Sequence, residues 1–405
     1  MGEKAMAKNK KWIQPRHKAW RTVLDVVLTP VMKHKYHAEL HKFNMQGRQF
    51  LVLFNHQTAF DQFFVGSVFC RGPVYYIASE DVLNKGLVSK IINYATAPIP
   101  IKKQMTDVRA VMNCLRVVKE GGSVALAPEG NRTYDGKLVH INPAVTKLVK
   151  TIGLPLAFCR IEGGYGVQPR WSDVIRKGKI KVYVSKVVEK QDYQDLSNEQ
   201  LLELITQNLD VNEGVECGTF HSKRSAEYLE RAYYVCPKCG LTTFHSKGQQ
   251  FCCTKCGLQG TYTDTKRIVW SDESVDLPFT THWYDYQQQF VQKLDVSPYL
   301  TTPIYQEQAT MFEVVPYKSR KVLDKRATLK LFADRVEIEG KNPCTLHFDD
   351  VAVATVLGKN KLNFYVGKQV FQFKGDKRFN ALKYVNFVYK HKNAKEEQDG
   401  TFLGI

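Results

Sequence analysis

The stretch NHQTAFD contains a histidine, His56, and an aspartate, Asp61, separated by four residues. A histidine can remove a proton from an alcohol near neutral pH when a carboxylate holds its other ring nitrogen. The stretch follows Phe50–Phe54, an apolar run that predicts a buried strand, and α/β proteins bind ligands beyond the carboxyl ends of strands. The pair is therefore either a base with its orienting carboxylate or two polar residues that cap a helix. The spacing alone does not decide between them.

A second stretch, ALAPEGNRTYDGK at residues 125–137, again has a predicted strand that runs into a Pro-Gly turn. The turn carries Glu129 and Arg132. An arginine beside a glycine turn, close to backbone N–H groups, is suited to hold a phosphate. The alternative is an ordinary strand-to-helix loop with a surface ion pair.

Two Cys-x-x-Cys-Gly pairs form the third chemical signal. The four cysteines are Cys236, Cys239, Cys253 and Cys256. Two such knuckles can surround one tetrahedral zinc ion, as in zinc ribbons, and four thiolates would close the site, which predicts a structural metal. A redox dithiol and an iron–sulfur site are the alternatives, and the turns at Gly240 and Gly257 favour zinc. Cys252 adjoins Cys253 and is the alternative metal ligand at that position.

Composition limits the classes of protein and partner. The chain has 405 residues, a formal net charge of +18 and ten cysteines. The length predicts two or three domains, and the charge predicts an anionic partner such as nucleic acid, anionic lipid or a phosphorylated substrate. The basic N-terminus lacks an apolar segment and cleavage site that would indicate a signal peptide, and the cysteine pattern suits a reducing compartment, so we expect a cytoplasmic location.

The elements that must position these residues alternate between strand and helix from about residue 48 to 210, which predicts an α/β fold with a mainly parallel sheet. The predicted strands are Phe50–Phe54, Val74–Ala78, Ile99–Ile101, Ser123–Ala127, Leu154–Ile161 and Ile180–Val188. The predicted helices are Lys85–Tyr94, Thr106–Glu120, Asn142 to Gly153 and Ser197–Leu209, the last with a Ser197/Gln200 capping box.

The N-terminal segment, residues 12–38, has apolar residues at helical spacing between basic flanks. A basic amphipathic helix of this kind can lie in a membrane surface. The alternative is a helix that packs on the domain core with its flanking charges in water. Pro30 is expected to kink or end the helix.

The rest of the chain changes in character. A short helix is predicted at Ser225–Tyr233, before the cysteine pairs. Beyond residue 311 come seven short strands and a closing helix that begins at Asp376. The predicted strands are Met311–Tyr317, Ala327–Phe332, Arg335–Glu339, Thr345–Phe348, Val351–Val356, Leu362–Val366 and Val370–Phe373.

This C-terminal pattern resembles a pleckstrin-homology-like domain, including the lipid-binding GRAM type. Such domains often present basic loops to membranes. The loop residues that suit this use are Lys318, Arg320, Lys321 and Lys325, and a solvated surface is the alternative.

The first two stretches, taken together with two more, resemble the glycerolipid acyltransferase family, typified by lysophosphatidate (1-acylglycerol-3-phosphate) acyltransferases. NHQTAFD resembles the family's NHxxxxD block, PIPIKKQ its second block, APEGNRT its third and LPLAFCRI, from Leu154, its fourth. The four blocks occur in the family's order within residues 20–210, about half the chain. The resemblance implies the family's α/β acyltransferase domain, followed here by the zinc ribbon and the small all-β domain with its C-terminal helix.

The expected domain boundaries follow from these assignments. Residues 1–40 form the basic helix, 41–215 the acyltransferase domain, 216–265 the short helix and zinc ribbon, 266–310 a linker and 311–405 the β domain.

The resemblance also implies roles for individual residues. His56 would be the general base on the acceptor hydroxyl and Asp61 its partner. Lys103, beside Lys102, occupies the second block, while Glu129, Gly130 and Arg132 match the third, whose arginine is thought to bind the acceptor phosphate. Two positions depart from the family pattern: Asn131 replaces a threonine and lysine replaces the arginine of the second block. Because lysine lacks the bidentate fork of arginine, the acceptor can differ from plain lysophosphatidate.

The reaction implied is direct acyl transfer from acyl-CoA or acyl carrier protein to a lysophospholipid hydroxyl, most simply lysophosphatidate to phosphatidate. Backbone N–H groups near the strand ends would stabilise the oxyanion. Cys70, Cys114 and Cys159 lie in apolar segments and are interpreted as core residues, not nucleophiles.

The acyltransferase interpretation predicts a peripheral enzyme on the anionic inner face of the cell membrane. Two alternatives belong to other classes: a zinc-ribbon protein that binds nucleic acid, and a non-catalytic lipid-binding scaffold on an acyltransferase fold. Nucleic acid is the less favoured partner, because it does not account for the four ordered blocks and no aromatic stacking motif is evident.

Overall fold

The computed structural model describes residues 11–69, 72, 74–79, 86–101, 107–314, 320–395 and 402–404, with backbone alone at 86–89. Lys102, Lys103, Lys318 and Cys70 lie outside the described residues. The chain divides into two compact units. The N-terminal unit comprises residues 1–131, 141–162 and 179–211, and the C-terminal unit comprises 132–140, 163–178 and 212–405.

A seven-stranded sheet forms the centre of the N-terminal unit. Its strands, in chain order, are β1 Ala38–Leu40, β2 Leu51–Phe54, β3 Val74–Ser79, β4 Ile99–Ile101, β5 Ser123–Leu126, β6 Leu156–Glu162 and β7 Ile180–Val188. Their order across the sheet is β1-β7-β6-β2-β5-β3-β4. All neighbours are parallel except β6 and β7, so the predicted α/β fold with a mainly parallel sheet is confirmed.

Strands β2 and β5 lie side by side and parallel, with Leu51 opposite Val124 and Leu53 opposite Leu126. Every residue of both strands is buried. Such continuous apolar runs are what a parallel strand covered on both faces requires. Because both strands end at the same edge, the two polar stretches that follow them begin close together.

The described residues of the N-terminal unit form six α-helices. They are α1 Pro15–Tyr36, α2 Asp61–Val68, α3 Gly86–Thr96, α4 Val108–Lys119, α5 Ala144–Ile152 and α7 Asn198–Leu209. The predicted Ser197/Gln200 capping box is present at the start of α7, and Gly153 caps α5 in the left-handed conformation with φ 63°. No helix among the described residues is both long and apolar enough to span a bilayer.

Pro30 was expected to kink or end helix α1; the helix continues through it, so an end at Pro30 is wrong and a kink stays a prediction. A proline inside a helix removes the hydrogen bond to the carbonyl four residues earlier, here that of Val26. Val26 is 68% exposed, so water can satisfy the freed carbonyl. The helix packs through Met32 and Tyr36, which are buried, and leaves its valines on the opposite face exposed.

The first described helix of the C-terminal unit is the short helix α6, Gly164–Val167. The cysteine-bearing segment follows it in the chain. The strands of that segment are β8 Val235–Cys236, β9 Gly240–Leu241, β10 Phe244–Lys247, β11 Gln250–Cys253, β12 Gln259–Tyr262 and β13 Ile268–Trp270. The helix predicted at Ser225–Tyr233 is wrong: only Leu229–Arg231 forms a single 3-10 turn. Tyr228 adopts a left-handed conformation with φ 71°, which interrupts the helical backbone before that turn.

Residues 266–310, predicted to be a linker, contain strand β13, helix α8 Thr280–Lys293 and the beginning of the next sheet. Trp283 of α8 is fully buried and stacks on Tyr233, with ring centroids 4.2 Å apart. Its indole N–H donates to the carbonyl of Val235 at 2.8 Å. The segment is therefore part of the core of the C-terminal unit.

A second seven-stranded sheet, wholly antiparallel, completes the unit. Its strands are β14 Tyr305–Glu313, β15 Lys321–Leu331, β16 Arg335–Glu339, β17 Cys344–His347, β18 Val351–Leu357, β19 Lys361–Val366 and β20 Gln369–Lys374. Helix α9, Ala381–Lys395, closes it and begins five residues later than predicted, with Leu382, Val385 and Val388 fully buried. The predicted all-β region with a terminal helix is confirmed, and its likeness to a pleckstrin-homology domain stays a prediction.

Candidate active site

The end of strand β2 is fixed to strand β6 by the side chain of Asn55. Its Nδ2 donates to the carbonyl of Ile161 at 2.8 Å, and its Oδ1 accepts from the N–H of the same residue at 2.7 Å. Asn55 is fully buried. Its amide therefore satisfies both backbone groups of Ile161 where the β-ladder ends, and it fixes the point at which His56 leaves the sheet.

Asp61 is the first residue of α2, and its carboxylate reaches back to His56. The distance between His56 Nδ1 and Asp61 Oδ2 is 2.7 Å. Because a carboxylate only accepts, Nδ1 carries the proton and Nε2 is the nitrogen with the basic lone pair. The imidazole side chain is 26% exposed while the Asp61 side chain is fully buried. The predicted pair is thus a histidine with an orienting carboxylate, and its aspartate also starts a helix.

Three further donors hold the Asp61 carboxylate. The N–H of Gln57 donates to Oδ2 at 2.7 Å, the N–H of Thr58 lies 2.9 Å from both oxygens, and the Thr58 hydroxyl donates to Oδ1 at 2.7 Å. Thr58 is fully buried, and its Oγ1 also accepts from the N–H of Phe60 at 3.0 Å. A buried carboxylate surrounded in this way has one orientation, which fixes the plane and tautomer of the imidazole.

Glu129, from the turn after β5, also contacts the histidine. Its Oε1 accepts the backbone N–H of His56 at 2.5 Å, and the residue is buried. Gly130 follows with φ 65°, and a Cβ there would meet no atom within 4 Å, so the turn needs glycine for its backbone conformation alone. The structure therefore brings together His56, Asp61 and Glu129, with Gly130 adjoining Glu129.

Arg132, the remaining described residue of the predicted site, is placed in the C-terminal unit. Its carbonyl accepts from Arg170 Nη1 at 2.8 Å, and the Arg170 guanidinium lies 4.3 Å from the ring centroid of Tyr134. Asn131, which precedes it, is buried. Lys103 lies outside the described residues, so its predicted role stays a prediction.

Sequence reasoning missed Asn55 and Thr58. The signal that could have found them is a run of polar residues, Asn55 to Thr58, directly after a fully apolar strand. Buried polar side chains at such a position need partners, and here the partners are the β6 backbone and the Asp61 carboxylate.

The two described cysteines of the N-terminal unit do not offer a nucleophile. Cys114 and Cys159 are fully buried. Burial raises the pKa of the Cys114 thiol to about 12 and raises that of Cys159 as well. Buried thiols that stay protonated are core residues, as predicted for Cys114 and Cys159.

The four predicted metal-binding cysteines converge in the C-terminal unit. Their Sγ atoms lie within 4.8 Å of one another, with Cys236 to Cys256 and Cys239 to Cys253 both at 3.6 Å. Tetrahedral thiolates around zinc, at about 2.3 Å from the metal, would stand about 3.8 Å apart. The cluster is therefore compatible with a structural metal. Cys252 lies beside it on strand β11 and is not part of the cluster.

Comparisons with known proteins bear on the N-terminal unit. The family model described as Acyltransferase matches residues 34–162, a range that contains all four blocks. A curated protein of Brassica napus, the chloroplastic 1-acyl-sn-glycerol-3-phosphate acyltransferase BAT2, is 25% identical over 140 residues, which is 33% of this chain and 39% of that protein. The chain thus spans about two fifths of the length of this relative.

Two solved structures are also similar. The 1-acyl-sn-glycerophosphate acyltransferase PlsC of Thermotoga maritima matches 48% of this chain and 81% of its own, with 19% identity and a TM-score of 0.40. The N-terminal PH domain of human ARAP2 matches 24% of this chain and 85% of its own, with 11% identity and a TM-score of 0.20.

Proposed function

We propose that this chain, which carries a domain of the glycerolipid acyltransferase family, transfers a fatty acyl group from a thioester donor to a lysophospholipid hydroxyl. The observation that carries the proposal is the hydrogen bond between His56 Nδ1 and Asp61 Oδ2 at the carboxyl end of β2. In this pair Nε2 of His56 is the base, and the buried carboxylate of Asp61 orients the ring through Nδ1. The donor is acyl-CoA or acyl carrier protein.

The reaction proceeds in one transfer. Nε2 of His56 removes the proton of the acceptor hydroxyl as its oxygen attacks the thioester carbonyl carbon. The new C–O ester bond forms, the C–S bond breaks, and the imidazolium returns the proton to the departing thiolate. Asp61 stabilises the imidazolium between these steps, as a carboxylate does in other base–carboxylate pairs. No acyl-enzyme is formed.

The acceptor is proposed to be lysophosphatidate, with phosphatidate as the product. A phosphate on the acceptor suits Arg132 and Lys103, the cationic residues of the third and second blocks. The name of the Brassica napus relative, a 1-acyl-sn-glycerol-3-phosphate acyltransferase, agrees with such an acceptor.

Helix α1 supports a peripheral position at the inner face of the cell membrane. It carries four exposed valines, Val23, Val26, Val27 and Val31, hereafter the valine face. The last turn of the helix is basic, with Lys33, His34 and Lys35. Phe60, 39% exposed, packs against Tyr36 of α1 with ring centroids 5.6 Å apart. An apolar face with a basic end suits an anionic lipid surface, and Phe60 lies one residue before Asp61.

The cysteine cluster is proposed to hold one structural zinc ion. Cys236 and Cys253 are buried in the same hydrophobic core as Trp283, so the metal would stabilise the C-terminal unit. Metal analysis of the purified protein should find one zinc per chain and less in a Cys236→Ser variant. A pure protein without zinc would remove this part of the proposal.

The acceptor and donor are tested with the purified protein and a panel of substrates. Labelled acyl-CoA and acyl carrier protein are each combined with lysophosphatidate, lysophosphatidylglycerol and lysophosphatidylcholine, and products are identified by mass spectrometry. We expect phosphatidate to form fastest. A faster product from another lysolipid would correct the acceptor, whereas no product from any pair would overturn the proposed reaction.

A further inference from the structure

A cysteine and a lysine of the C-terminal unit contact each other away from the cysteine cluster. Cys217 is exposed, whereas Lys266 is fully buried. The Nζ of Lys266 lies 2.8 Å from the Sγ of Cys217. It also donates to the carbonyl of Glu213 at 2.5 Å and to that of Cys217 at 3.3 Å. The amine therefore points from the core toward a sulfur that solvent can reach.

Cys217 is both exposed to solvent and in contact with the amine of Lys266. The amine 2.8 Å from the sulfur is a nitrogen nucleophile of the kind with which an oxidised cysteine condenses. Solvent oxidants reach Cys217 because it is exposed. The thiols of Cys114 and Cys159 are fully buried and lack this exposure.

Backbone hydrogen bonds fix the segments that carry Cys217 and Lys266. The N–H of Phe220 donates to the carbonyl of Asp264 at 2.7 Å, and the N–H of Lys266 donates to that of Thr263 at 3.0 Å. His221 Nδ1 and Asp264 Oδ2, 2.6 Å apart, add a side-chain contact between the same two segments. The segment from Cys217 to His221 is thus fixed against the turn that ends at Lys266, so the sulfur and the amine meet at high effective concentration.

We propose that Cys217 and Lys266 form a covalent sulfur–nitrogen cross-link when a hydroperoxide oxidises Cys217. In the first step the S–H becomes S–OH, the peroxide O–O bond breaks, and the rest of the hydroperoxide leaves as an alcohol, or as water when the oxidant is hydrogen peroxide. The sulfur loses two electrons and the peroxide gains them. In the second step Lys266, after its ammonium has released a proton to solvent, attacks the sulfenic sulfur through Nζ. The N–S bond forms, the S–O bond breaks, and the hydroxyl leaves as water with a proton from the nitrogen.

The cross-link would join two segments that already share the Glu213 contact. Glu213 donates its N–H to the carbonyl of Gly136, and its carboxylate accepts from the N–H groups of Gly163 and Tyr165. The cross-linked nitrogen keeps one N–H, so oxidation would leave Lys266 with one of the three hydrogen-bond donors of its ammonium group. This inference concerns the C-terminal unit alone and does not rest on the proposed acyl transfer.

The test uses the full chain, treated with increasing hydrogen peroxide, then blocked with N-ethylmaleimide, digested with trypsin and measured by mass spectrometry. The peptide 191–223 carries Cys217 as its one cysteine, and trypsin normally cuts after Lys266. We expect these two regions as one linked species, lighter than the sum of its parts by two hydrogen atoms. Cleavage after Lys266 should be lost in it and return after reduction with dithiothreitol.

Two variants and one internal control sharpen the result. Cys217→Ser and Lys266→Met should each abolish the linked species, and the wild-type peptides give the answer even if Lys266→Met fails to fold. Cys344 of β17 is partly buried and serves as the reference thiol. The proposal is wrong if Cys217 stays reactive to maleimide at every dose up to the one that oxidises Cys344. It is equally wrong if Cys217 becomes sulfinic acid while trypsin still cuts after Lys266.

Discussion

The carboxylate of Asp61 lies 2.7 Å from Nδ1 of His56 and is fully buried at the start of helix α2. The same carboxylate accepts hydrogen bonds from the backbone of residues 57 and 58 and from the Thr58 hydroxyl. One residue thus starts a helix, closes the loop after β2 and sets the tautomer of the histidine. Of the two interpretations that the sequence left open, the helix cap is wrong, because the N-cap residue of α2 is Phe60 and no side-chain hydrogen bond caps that end.

Replacing Asp61 with asparagine should abolish most of the activity while the fold persists. An amide can donate to Nδ1, which would place the imidazole proton on Nε2 and remove the base. We expect kcat to fall on the order of 10³-fold or more, as for the corresponding change in other carboxylate–histidine pairs. Asp195→Asn, at an exposed position of the same unit, is the control, and an equal loss in both variants would contradict this role.

Thr58 should act as a positioning residue for Asp61. A hydrogen bond to a charged group is worth about 1.5–3 kcal/mol, so Thr58→Val should lower kcat about tenfold or more. Thr58→Ser keeps the hydroxyl and should restore most of the rate. The pH–rate profile separates this role from a general loss of stability: it should shift in Thr58→Val and match wild type in Thr58→Ser. An unshifted profile in the valine variant would show that the hydroxyl does not tune the pair.

The valine face of α1 should bind lipid. Val26→Glu and Val27→Glu place charges on a face that is 68% and 56% exposed at these positions, so they should leave the fold intact but weaken binding to anionic vesicles in sedimentation. Val269→Glu, 54% exposed in strand β13, is the matched control and should bind like wild type. Equal binding by all three variants would exclude this face as the lipid contact.

Glu213 should make the stability of the chain depend on pH. Burial raises its pKa from the ordinary value of 4.5 to about 7, against the opposing effects of Lys266 and backbone N–H groups. The folded state therefore holds a proton that the unfolded chain loses at lower pH. Stability from this group should be complete below the unfolded value and fall as pH rises toward 7, by about 1.4 kcal/mol per pH unit between roughly 5 and 7. Glu213→Gln cannot ionise, so its stability relative to wild type should increase over that range. A constant difference in the free energy of unfolding across that range would contradict the raised pKa.

Much of the fold was predictable because local patterns and tertiary structure agree. The buried strands β2 and β5 are continuous apolar runs, and helix α7 begins at a complete capping box. Helix α8 was missed because its interior is polar: Gln287 is fully buried and bonds the backbone at Ala232, Tyr234 and Val235. These backbone partners lie about fifty residues earlier in the chain, so the spacing of apolar residues within the helix does not reveal them.

The candidate site was predictable in part for a similar reason. His56 and Glu129 stand in the segments that directly follow apolar strands, Asp61 begins the helix after the first of them, and the order of the blocks indicates all three. That β2 and β5 are neighbours, which brings Glu129 to the backbone of His56, depends on strand order and not on sequence spacing. The antiparallel pairing of β6 with β7 is another outcome of sheet assembly that alternation of elements does not predict.

If His56 is the base of an acyl-transfer reaction, its replacement should slow the formation of phosphatidate from labelled acyl-CoA and lysophosphatidate. Wild type and His245→Ala, an exposed histidine of strand β10, should form phosphatidate at equal rates. His56→Ala, with an unchanged melting temperature, should be slower on the order of 10³-fold or more. Wild-type activity that survives in His56→Ala would contradict the account.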